Sequence, residues 1–281
     1  MYRKARIHIC GIGPRMGTTL MKEALGSCTN VDVYDDRERR VFSRPQIDCD
    51  VYLSKDPRHM LDIRPALAIN PRLWVICMMR DPRDMVSSKH ERNKEAYYAG
   101  LKYWKTFLSV WQRLRSHPRV LTISYEELAR RPDETQDKIV EKIPYLKKEV
   151  PFSKYHEITA PSEFSTKALG SVRPIRPTSV GKWRRHRERV AGQLKLHGPI
   201  TKNLIKLGYE KDDAWLRELK GVAPDTSESH DSEYFSQSDI MIQRIVGYAG
   251  AVVVLARRLG LDPLKPLRHI PRQWLPAKIY E

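Results

Sequence analysis

Short, largely apolar runs that each end at a turn and lead into helical sequence constrain the fold of this 281-residue chain more than any other feature. The first run, 6–12, is followed by a glycine-bearing turn at 13–17 and by helical composition over 18–25. The runs 73–79 and 119–124 repeat this order, and the former has no polar alternation. Such runs are typical of strands covered on both faces of a parallel sheet. The pattern predicts an α/β fold, a single domain whose central parallel β-sheet is flanked by helices.

Composition divides the chain into three segments. Residues 1–210 carry the strand and helix pattern and form the predicted main domain. Residues 211–239 are predicted as an acidic, Ser-rich linker, because 222–239 hold five acids and no Lys or Arg, a composition typical of mobile segments. Residues 240–281 complete the chain as an apolar helix and a basic tail, which together predict a helical C-terminal extension.

The apolar segment 240–259 is interrupted by Arg244, Arg257 and Arg258. It therefore has no uncharged stretch of the roughly 18 to 20 residues that a membrane span requires. We expect a helix that docks on the domain or on a second chain, which would make a homodimer. The alternative hypothesis is a peripheral membrane-surface helix followed by a basic, Trp-bearing tail. The tail residues that support it are Lys265, Arg268, Arg272 and Trp274.

Charge and cysteine usage limit the partners and the compartment. The 51 Lys and Arg exceed the 34 Asp and Glu, a net charge of +17 that favours anionic partners such as nucleic acid, anionic lipid or phosphate-bearing small molecules. The four cysteines form no CxxC pair and match no zinc-ligand spacing, so we expect reduced core residues, no metal and a cytoplasmic compartment, with membrane association as the alternative. They are Cys10, Cys28, Cys49 and Cys77.

The turn at 13–17 has the features of an anion site. A glycine-rich turn between a buried strand and a helix points backbone N–H groups and the positive end of the helix at a common point. Arg15 adds a cation, and Thr18 and Thr19 add hydroxyls. The nucleotide-kinase motif GxxxxGK[ST] fails at two positions, where Ile12 and Thr18 replace the first glycine and the lysine. By itself, the turn is equally compatible with an ordinary strand-to-helix connection.

The segment Gly13-Pro14-Arg15-Met16-Gly17-Thr18-Thr19 resembles the P-[KR]-S-G-T-T loop of sulfotransferases that use 3′-phosphoadenosine 5′-phosphosulfate (PAPS). Arg80 closes the second buried run and Ser88 follows eight residues later, which is similar to that family's 3′-phosphate element. A guanidinium offers bidentate donors to a phosphate, and a hydroxyl near a helix N-terminus adds another.

Two further segments agree with this resemblance, which covers about residues 5 to 210. Tyr125-Glu126-Glu127-Leu128 resembles the family's Y-E-[DE]-L, and Val180-Gly181-Lys182-Trp183 resembles its V-G-x-W loop, with Arg176 seven residues before the tryptophan. The resemblance implies a P-loop-like sulfotransferase fold with PAPS as the donor and PAP as the product. The implied donor-binding residues are Pro14, Arg15, Met16, Gly17, Thr18, Thr19, Arg80, Ser88, Tyr125, Arg176, Val180, Gly181, Lys182 and Trp183.

The chain departs from the family pattern in the first loop and in the K-x-H motif. Met16 replaces the usual serine of the first loop, so one hydroxyl is lost. The K-x-H motif of cytosolic sulfotransferases appears as Lys55-Asp56-Pro57, which resembles the K-x-P version of carbohydrate and tyrosylprotein sulfotransferases. That branch uses a carboxylate base, and the aligned positions are Asp36, which we favour, and Asp35. His59 is the third candidate, and Lys55 and Arg15 are the expected cations at the bridging and leaving oxygens.

The expected reaction is transfer of a sulfuryl group from PAPS to an acceptor hydroxyl on a carbohydrate or glycolipid, without a metal. A peptide tyrosine or small alcohol is the alternative acceptor. Two other classes of protein stay open on the residues alone. A P-loop kinase shares the sheet architecture, and a noncatalytic nucleic-acid-binding protein would explain the charge of +17. The latter is disfavoured because no nucleic-acid module is recognisable, so no nucleic acid is expected as a partner.

Overall fold

The protein is described by a computed structural model that covers residues 2–90, 93, 95–231 and 237–261. The strands are β1 (Tyr2–Gly11), β2 (Val33–Tyr34), β3 (Cys49–Lys55), β4 (Leu73–Met79) and β5 (Val120–Ser124). The α-helices are α1 (Thr18–Cys28), α2 (Ile63–Ile69), α3 (Pro82–Val86), α4 (Leu101–Leu114), α5 (Tyr125–Arg130), α6 (Pro132–Lys142), α7 (Tyr155–Ile158), α8 (Glu163–Leu169), α9 (Arg187–His197), α10 (Thr201–Lys206) and α11 (Gln237–Arg258). Short 3-10 turns lie at His59–Asp62, Phe152–Lys154, Lys182–Arg185 and Ala214–Leu219.

The five strands of the described chain form one parallel sheet in the order β2-β3-β1-β4-β5. Ile9 pairs with Ile76 and Cys10 with Cys77, so the apolar centres of β1 and β4 lie side by side in the core. The chain leaves β1 toward β3 on one side and later returns to β4 on the other. In open parallel sheets, the carboxyl ends of the strands at such a reversal form a crevice for ligands.

The predicted α/β architecture, a single domain with a parallel sheet flanked by helices, is confirmed. The apolar runs became β1, β4 and β5, and all four cysteines are buried and unbridged. The amphipathic stretch 96–114 is helical only from Leu101 onward. Before Leu101, Tyr97 and Ala99 form extended bridges with Lys89 and Asp231, and Gln193 accepts a hydrogen bond from the Leu101 amide.

The acidic segment that composition predicts as a mobile linker lies partly against the domain. The Asp225 amide donates to the Glu188 carbonyl, and a Cβ on Gly192 of α9 would lie 1.7 Å from the Asp225 oxygen. Arg189 donates to the Ser229 hydroxyl at 2.6 Å. These contacts hold residues 225–229 against α9, because buried arginine donors stay satisfied only while the segment is in place. Residues 232–236 lie outside the described part, and the boundaries at 210 and 239 remain predictions.

α11 extends the chain beyond this segment and packs on α2 and on the turn His59–Asp62. Its close contacts are made by Gly247 against Asp62 and by Gly250 against Phe42. By length and composition, the stretch Ile240–Arg258 is also apolar enough to cross a membrane. The basic tail with Lys265, Arg268, Arg272 and Trp274 lies outside the described residues.

Candidate active site

The glycine turn after β1 has the backbone geometry of an anion cradle. Gly13, Arg15 and Gly17 have φ of 111°, 61° and 86°, so left-handed residues alternate with ordinary ones. This alternation turns successive N–H groups toward a shared concavity, and α1 begins directly afterward at Thr18. Arg15 is the one non-glycine residue with positive φ among the described residues, a conformation that costs energy and is common at functional sites.

A cavity of about 720 Å³ opens beside this turn at the carboxyl ends of β1, β3 and β4. It brings together eight of the predicted donor-binding residues, which are Pro14, Arg15, Gly17, Thr18, Thr19, Arg80, Tyr125 and Arg176. Six cationic side chains line it, namely Arg15, Lys55, Arg80, Lys167, Arg173 and Arg176. Glu38 is the single carboxylate in the lining. The cavity is therefore built for an anion, and its volume is that of an ordinary ligand pocket.

Lys55 is the buried cation of this cavity. Its Nζ, on a side chain that is 3% exposed, lies 3.1 Å from Glu38 Oε1 and 3.0 Å from Thr19 Oγ1. Burial lowers the Lys55 pKa, and the charge and hydrogen bond of Glu38 oppose that shift. Strand β3 ends at Lys55 and the first turn of α1 supplies Thr19, so two elements that meet at this edge of the sheet aim a cation and a hydroxyl at one point.

Arg80 joins the first loop to the segment 173–179. Its guanidinium donates to the Arg15 carbonyl at 3.1 Å and to the Ser179 carbonyl at 2.6 Å. It also lies 4.4 Å from the centre of the Tyr125 ring. The Arg80 Nε is buried and has no hydrogen-bond partner. An unsatisfied buried donor in a cationic cavity is a free hydrogen-bonding position for an anionic ligand.

Asp84 holds the V-G-x-W loop in position. The carboxylate is 2% exposed and accepts hydrogen bonds from the Gly181 amide at 2.7 Å and from the Trp183 amide at 2.9 Å. Burial raises the Asp84 pKa, and Arg80 and the two amide donors oppose the rise. The Arg-Asp-Pro-Arg-Asp segment after β4 thus anchors the distant loop by its second aspartate, a role that the sequence analysis missed.

Trp183 itself does not line the cavity. It is 1% exposed and packs edge-on against Trp215, with the Arg83 guanidinium 4.4 Å from its ring centre. Val180 and Gly181 are also outside the lining, and Lys182 is exposed. The loop therefore supports the cavity wall from behind, since its neighbours Arg176 and Ser179 reach the cavity instead.

Two further predicted donor contacts lie away from the cavity. The Met16 side chain is fully buried and packs into the core beside Gly11 and Gly13, so its position offers only backbone atoms to a ligand. The Ser88 hydroxyl, just beyond the end of α3, donates to the Asp84 carbonyl at 2.9 Å. The first finding explains why a methionine is compatible with this loop, because the side chain fills core space.

The candidate bases that were predicted from sequence are also outside the cavity lining. Asp36 is exposed, and Ser162 donates to its backbone carbonyl. Asp35 accepts a hydrogen bond from the Tyr52 hydroxyl, and burial raises its pKa. His59 Nε2 lies 3.1 Å from Asp56, and its Nδ1 accepts from the Val41 amide.

Sequence reasoning missed several cavity residues. Glu38 belongs to the same acidic turn as Asp35 and Asp36, but only the position of Lys55 on β3 selects it. Phe164 and Lys167 come from α8, a helix without any motif. His90 and Tyr98 line another part of the wall, and the His230 ring lies 3.7 Å from that of His90. None of these carries a local signal, because each is defined by contacts between distant segments.

Comparison with known proteins adds a family match. A family model described as "Sulfotransferase family" matches residues 30–145, which include Lys55, Arg80 and Ser88 but neither the turn at 13–17 nor the loop at 176–183. No curated protein matches the chain significantly.

Among solved structures, the chain is similar to the sulfotransferase domain from the curacin biosynthetic pathway (TM-score 0.46, 11% identity, 66% of this chain and 92% of that one). It is also similar to retinol dehydratase in complex with androsterone and inactive cofactor PAP (TM-score 0.37, 13% identity, 77% and 81%). A third similar structure is a mouse sulfotransferase complexed with PAP (TM-score 0.34, 12% identity, 60% and 64%).

Proposed function

We propose that this protein is a PAPS-dependent O-sulfotransferase. The observation that carries the proposal is the cavity in which the turn at 13–17, the start of α1, Arg80 and the segment 173–179 meet, with six cations and one carboxylate. The family match over 30–145 supports sulfuryl transfer in general. A donor with phosphate and sulfate groups at separate positions suits several cations contributed by different loops.

The residues of the cavity fit such a donor. Arg80, whose buried Nε lacks a partner, and Arg176 are the proposed ligands of the 3′-phosphate. The backbone of the turn at 13–17, with Arg15 and Thr18, is the proposed cradle of the 5′-phosphosulfate. Tyr125 lies against Arg80 and Gly17 and would flank the adenosine portion. When bound, the donor supplies a sulfuryl group on a phosphate leaving group.

We assign the general base to Glu38 in place of Asp36. Its carboxylate lies in the cavity beside Lys55, whereas Asp36 lies outside the lining. Glu38 would accept the proton of the acceptor hydroxyl as that oxygen bonds to sulfur. Lys55, already within hydrogen-bond reach of Thr19, would neutralise the charge that grows on the leaving oxygen. In-line transfer of this kind requires positioning and charge neutralisation more than covalent chemistry.

For the acceptor, we propose a hydroxyl on a carbohydrate or glycolipid. Phe164 is 41% exposed, and its ring lies 5.7 Å from Lys55 Nζ, which places an apolar platform next to the proposed chemistry. Lys167 and Arg173 add cations at the same cavity. An aromatic platform flanked by cations suits a sugar that carries negative charge. A peptide tyrosine remains the alternative acceptor.

The donor assignment is tested by calorimetric titration with PAP. We expect the wild-type chain to bind PAP and Arg80→Ala to lose about 2 kcal/mol or more, roughly 30-fold in affinity, because a charge-assisted contact to a phosphate is lost. Arg131→Ala is the matched control, since Arg131 forms an exposed ion pair with Glu134 outside the cavity. Binding of ATP with magnesium in preference to PAP would contradict the proposal and favour a kinase.

The base is tested by turnover of labelled PAPS with a panel of carbohydrate, glycolipid and tyrosine-peptide acceptors. Glu38→Gln should lower turnover by about 10² to 10⁴ while PAP still binds, because general base catalysis contributes that factor. Asp36→Asn, from the same acidic turn, should retain most of the activity. The assignment to Glu38 is wrong if Asp36→Asn is the inactive variant, whereas loss of PAP binding by the wild-type chain would contradict the donor.

A further inference from the structure

α11 exposes a continuous apolar stripe. Of the fifteen large apolar side chains that are exposed in the described residues, eight lie between 241 and 261. Six of them follow a spacing of four and three residues that places them on one side of the helix. They are Met241, Ile245, Tyr248, Val252, Leu255 and Leu259, and they are between 42% and 77% exposed.

The opposite side of α11 is already occupied by the domain. A Cβ on Gly247 would lie 2.6 Å from Asp62 Oδ1, and one on Gly250 would lie 3.0 Å from the Phe42 ring. Near the end of the helix, Arg258 donates to the Ile69 carbonyl at 2.6 Å. The helix is therefore fixed to the domain by small residues, and the apolar stripe faces outward. Contiguous apolar surface of this kind marks a site of interaction.

The charge around the stripe is predominantly positive. Residues 240–261 contain Arg244, Arg257 and Arg258 and no acid. The one carboxylate of α11 is Asp239, near its start. Pairing of the stripe with a second copy would bring two helices together that each carry three arginines and one aspartate, and this net positive charge on both sides disfavours a dimer through this face. The same charges suit an anionic surface.

A second cluster of arginines lies directly beside the helix. A cavity of about 280 Å³ is lined by Val254 and Arg258 of α11 and by Arg6, Arg44 and Arg72, with no carboxylate in its lining. Arg6 is 2% exposed, and its Nε has no hydrogen-bond partner. The terminal nitrogens of Arg6 donate to the Ser43 and Arg40 carbonyls, whereas Arg44, Arg72 and Arg258 are exposed. Several guanidinium groups around an acid-free cavity form a position for an anionic group.

We propose that α11 and this arginine-lined cavity form a docking surface for a membrane rich in anionic lipid. The helix lies in the plane of the interface with its stripe at the level of the acyl chains, and a lipid phosphate enters the cavity beside Arg72 and Arg258. The sequence that follows, 262–281, contains four Lys or Arg and Trp274, a composition that adds to binding at an anionic interface. This surface is separate from the cavity at the carboxyl ends of the strands.

The proposal is tested by sedimentation of the full chain with vesicles, without any donor or acceptor. We expect pelleting with vesicles in which about a third of the lipid is phosphatidylglycerol, weak pelleting with phosphatidylcholine alone, and release by high salt. Equal pelleting with both vesicles, or no pelleting with the anionic ones, would overturn it. The assay does not involve the proposed enzymatic activity, so its outcome is independent of that proposal.

Two pairs of variants locate the binding surface. The double variant Val252→Asp with Leu255→Asp should bind anionic vesicles at least about tenfold more weakly, because two charges enter the apolar stripe. Its control is Ile205→Asp with Leu216→Asp, at sites 42% and 40% exposed on other elements. Since undocking of α11 would mimic this loss, Arg44→Ala with Arg72→Ala supplies a second test. This double variant should weaken binding to anionic vesicles. Its control, Arg113→Ala with Arg130→Ala, should leave that binding unchanged, and equal effects of the two arginine pairs would overturn the proposal.

The other possible occupants of the stripe give distinct results. If light scattering finds a dimer that the Val252→Asp and Leu255→Asp variant dissociates, the stripe is an interface between copies and the proposal fails. If the vesicle-bound protein resists extraction by alkaline carbonate, the helix spans the bilayer and the proposal also fails. A monomer that carbonate releases is the expected result.

Discussion

Replacement of Asp84 should loosen the wall of the large cavity at the carboxyl ends of the strands, although Asp84 does not itself line that cavity. Asp84 lies at the start of α3, and its buried carboxylate accepts the amides of Gly181 and Trp183, almost one hundred residues away. These two hydrogen bonds hold the loop whose preceding residues carry Arg176 and Ser179 to the cavity. Asp84→Ala leaves both amides without an acceptor in a buried setting.

The size of the effect follows from those two amides. Each buried amide that loses its partner costs about 1 to 3 kcal/mol, so the Ala variant should lose about 4 kcal/mol of unfolding free energy, or release the loop locally at a similar cost. Asp84→Asn should lose about half as much, since the Asn oxygen can accept from one amide while its NH₂ group faces the other. In both variants, PAP affinity should fall because Arg80 loses the fixed Ser179 carbonyl that orients it.

Urea denaturation and calorimetric titration with PAP measure the two effects. Asp137→Ala is the matched control, because Asp137 forms an exposed ion pair with Lys148 and its loss should cost less than about 1 kcal/mol. The expected order of stability is wild type, Asp84→Asn, then Asp84→Ala. If Asp84→Ala unfolds at the same urea concentration as the control and binds PAP normally, the anchoring role is refuted.

Three further predictions follow from buried or constrained groups. Met16→Ser, which restores the hydroxyl of the related loops, should lower the unfolding free energy by about 3 kcal/mol in urea denaturation, because a fully buried side chain is removed from the core. Gly17→Ala should weaken PAP binding about tenfold in calorimetric titration, because φ is 86° at this position and the new Cβ would lie 2.6 Å from the Tyr125 ring. Unchanged affinity would mean that the loop is not the donor site. Burial, followed by the charges of Arg6 and His59, lowers the pKa of His8 well below its ordinary value of 6.5. The unfolded chain therefore binds the proton more readily, so stability is complete above pH 6.5 and falls below it by up to about 1.4 kcal/mol per pH unit, a slope that His8→Gln should reduce.

Local patterns in the sequence were sufficient for the framework. The apolar runs predicted β1, β4 and β5 because an unbroken apolar strand has no stable place outside a covered parallel sheet. The turn at 13–17 was recognisable because its two glycines lie only four residues apart and their positive φ is a local requirement. Strand β3 and the start of α4 at Leu101 were not predicted, since they depend on pairing with β1 and on contacts with Gln193 and Asp231.

The composition of the cavity was decided by tertiary structure. Sequence reasoning identified the acidic turn 35–38 but preferred Asp36, and only the placement of Lys55 on β3 distinguishes Glu38 from its neighbours. Likewise, the V-G-x-W loop is recognisable as a motif, whereas the burial of Trp183 against Arg83 and Trp215 depends on three segments that meet only in the folded chain.

The amino-acid sequence by itself thus determined the elements whose causes are local: buried parallel strands, a glycine turn with a cation and two hydroxyls, and an apolar C-terminal helix. The folded structure decided which side chains share a cavity and which side of α11 is covered. The physical reason is the separation along the chain of the residues that interact. Backbone conformation and the burial of an apolar run are set by neighbours along the chain, whereas a hydrogen bond such as that of Asp84 with Trp183 forms only after distant segments pack.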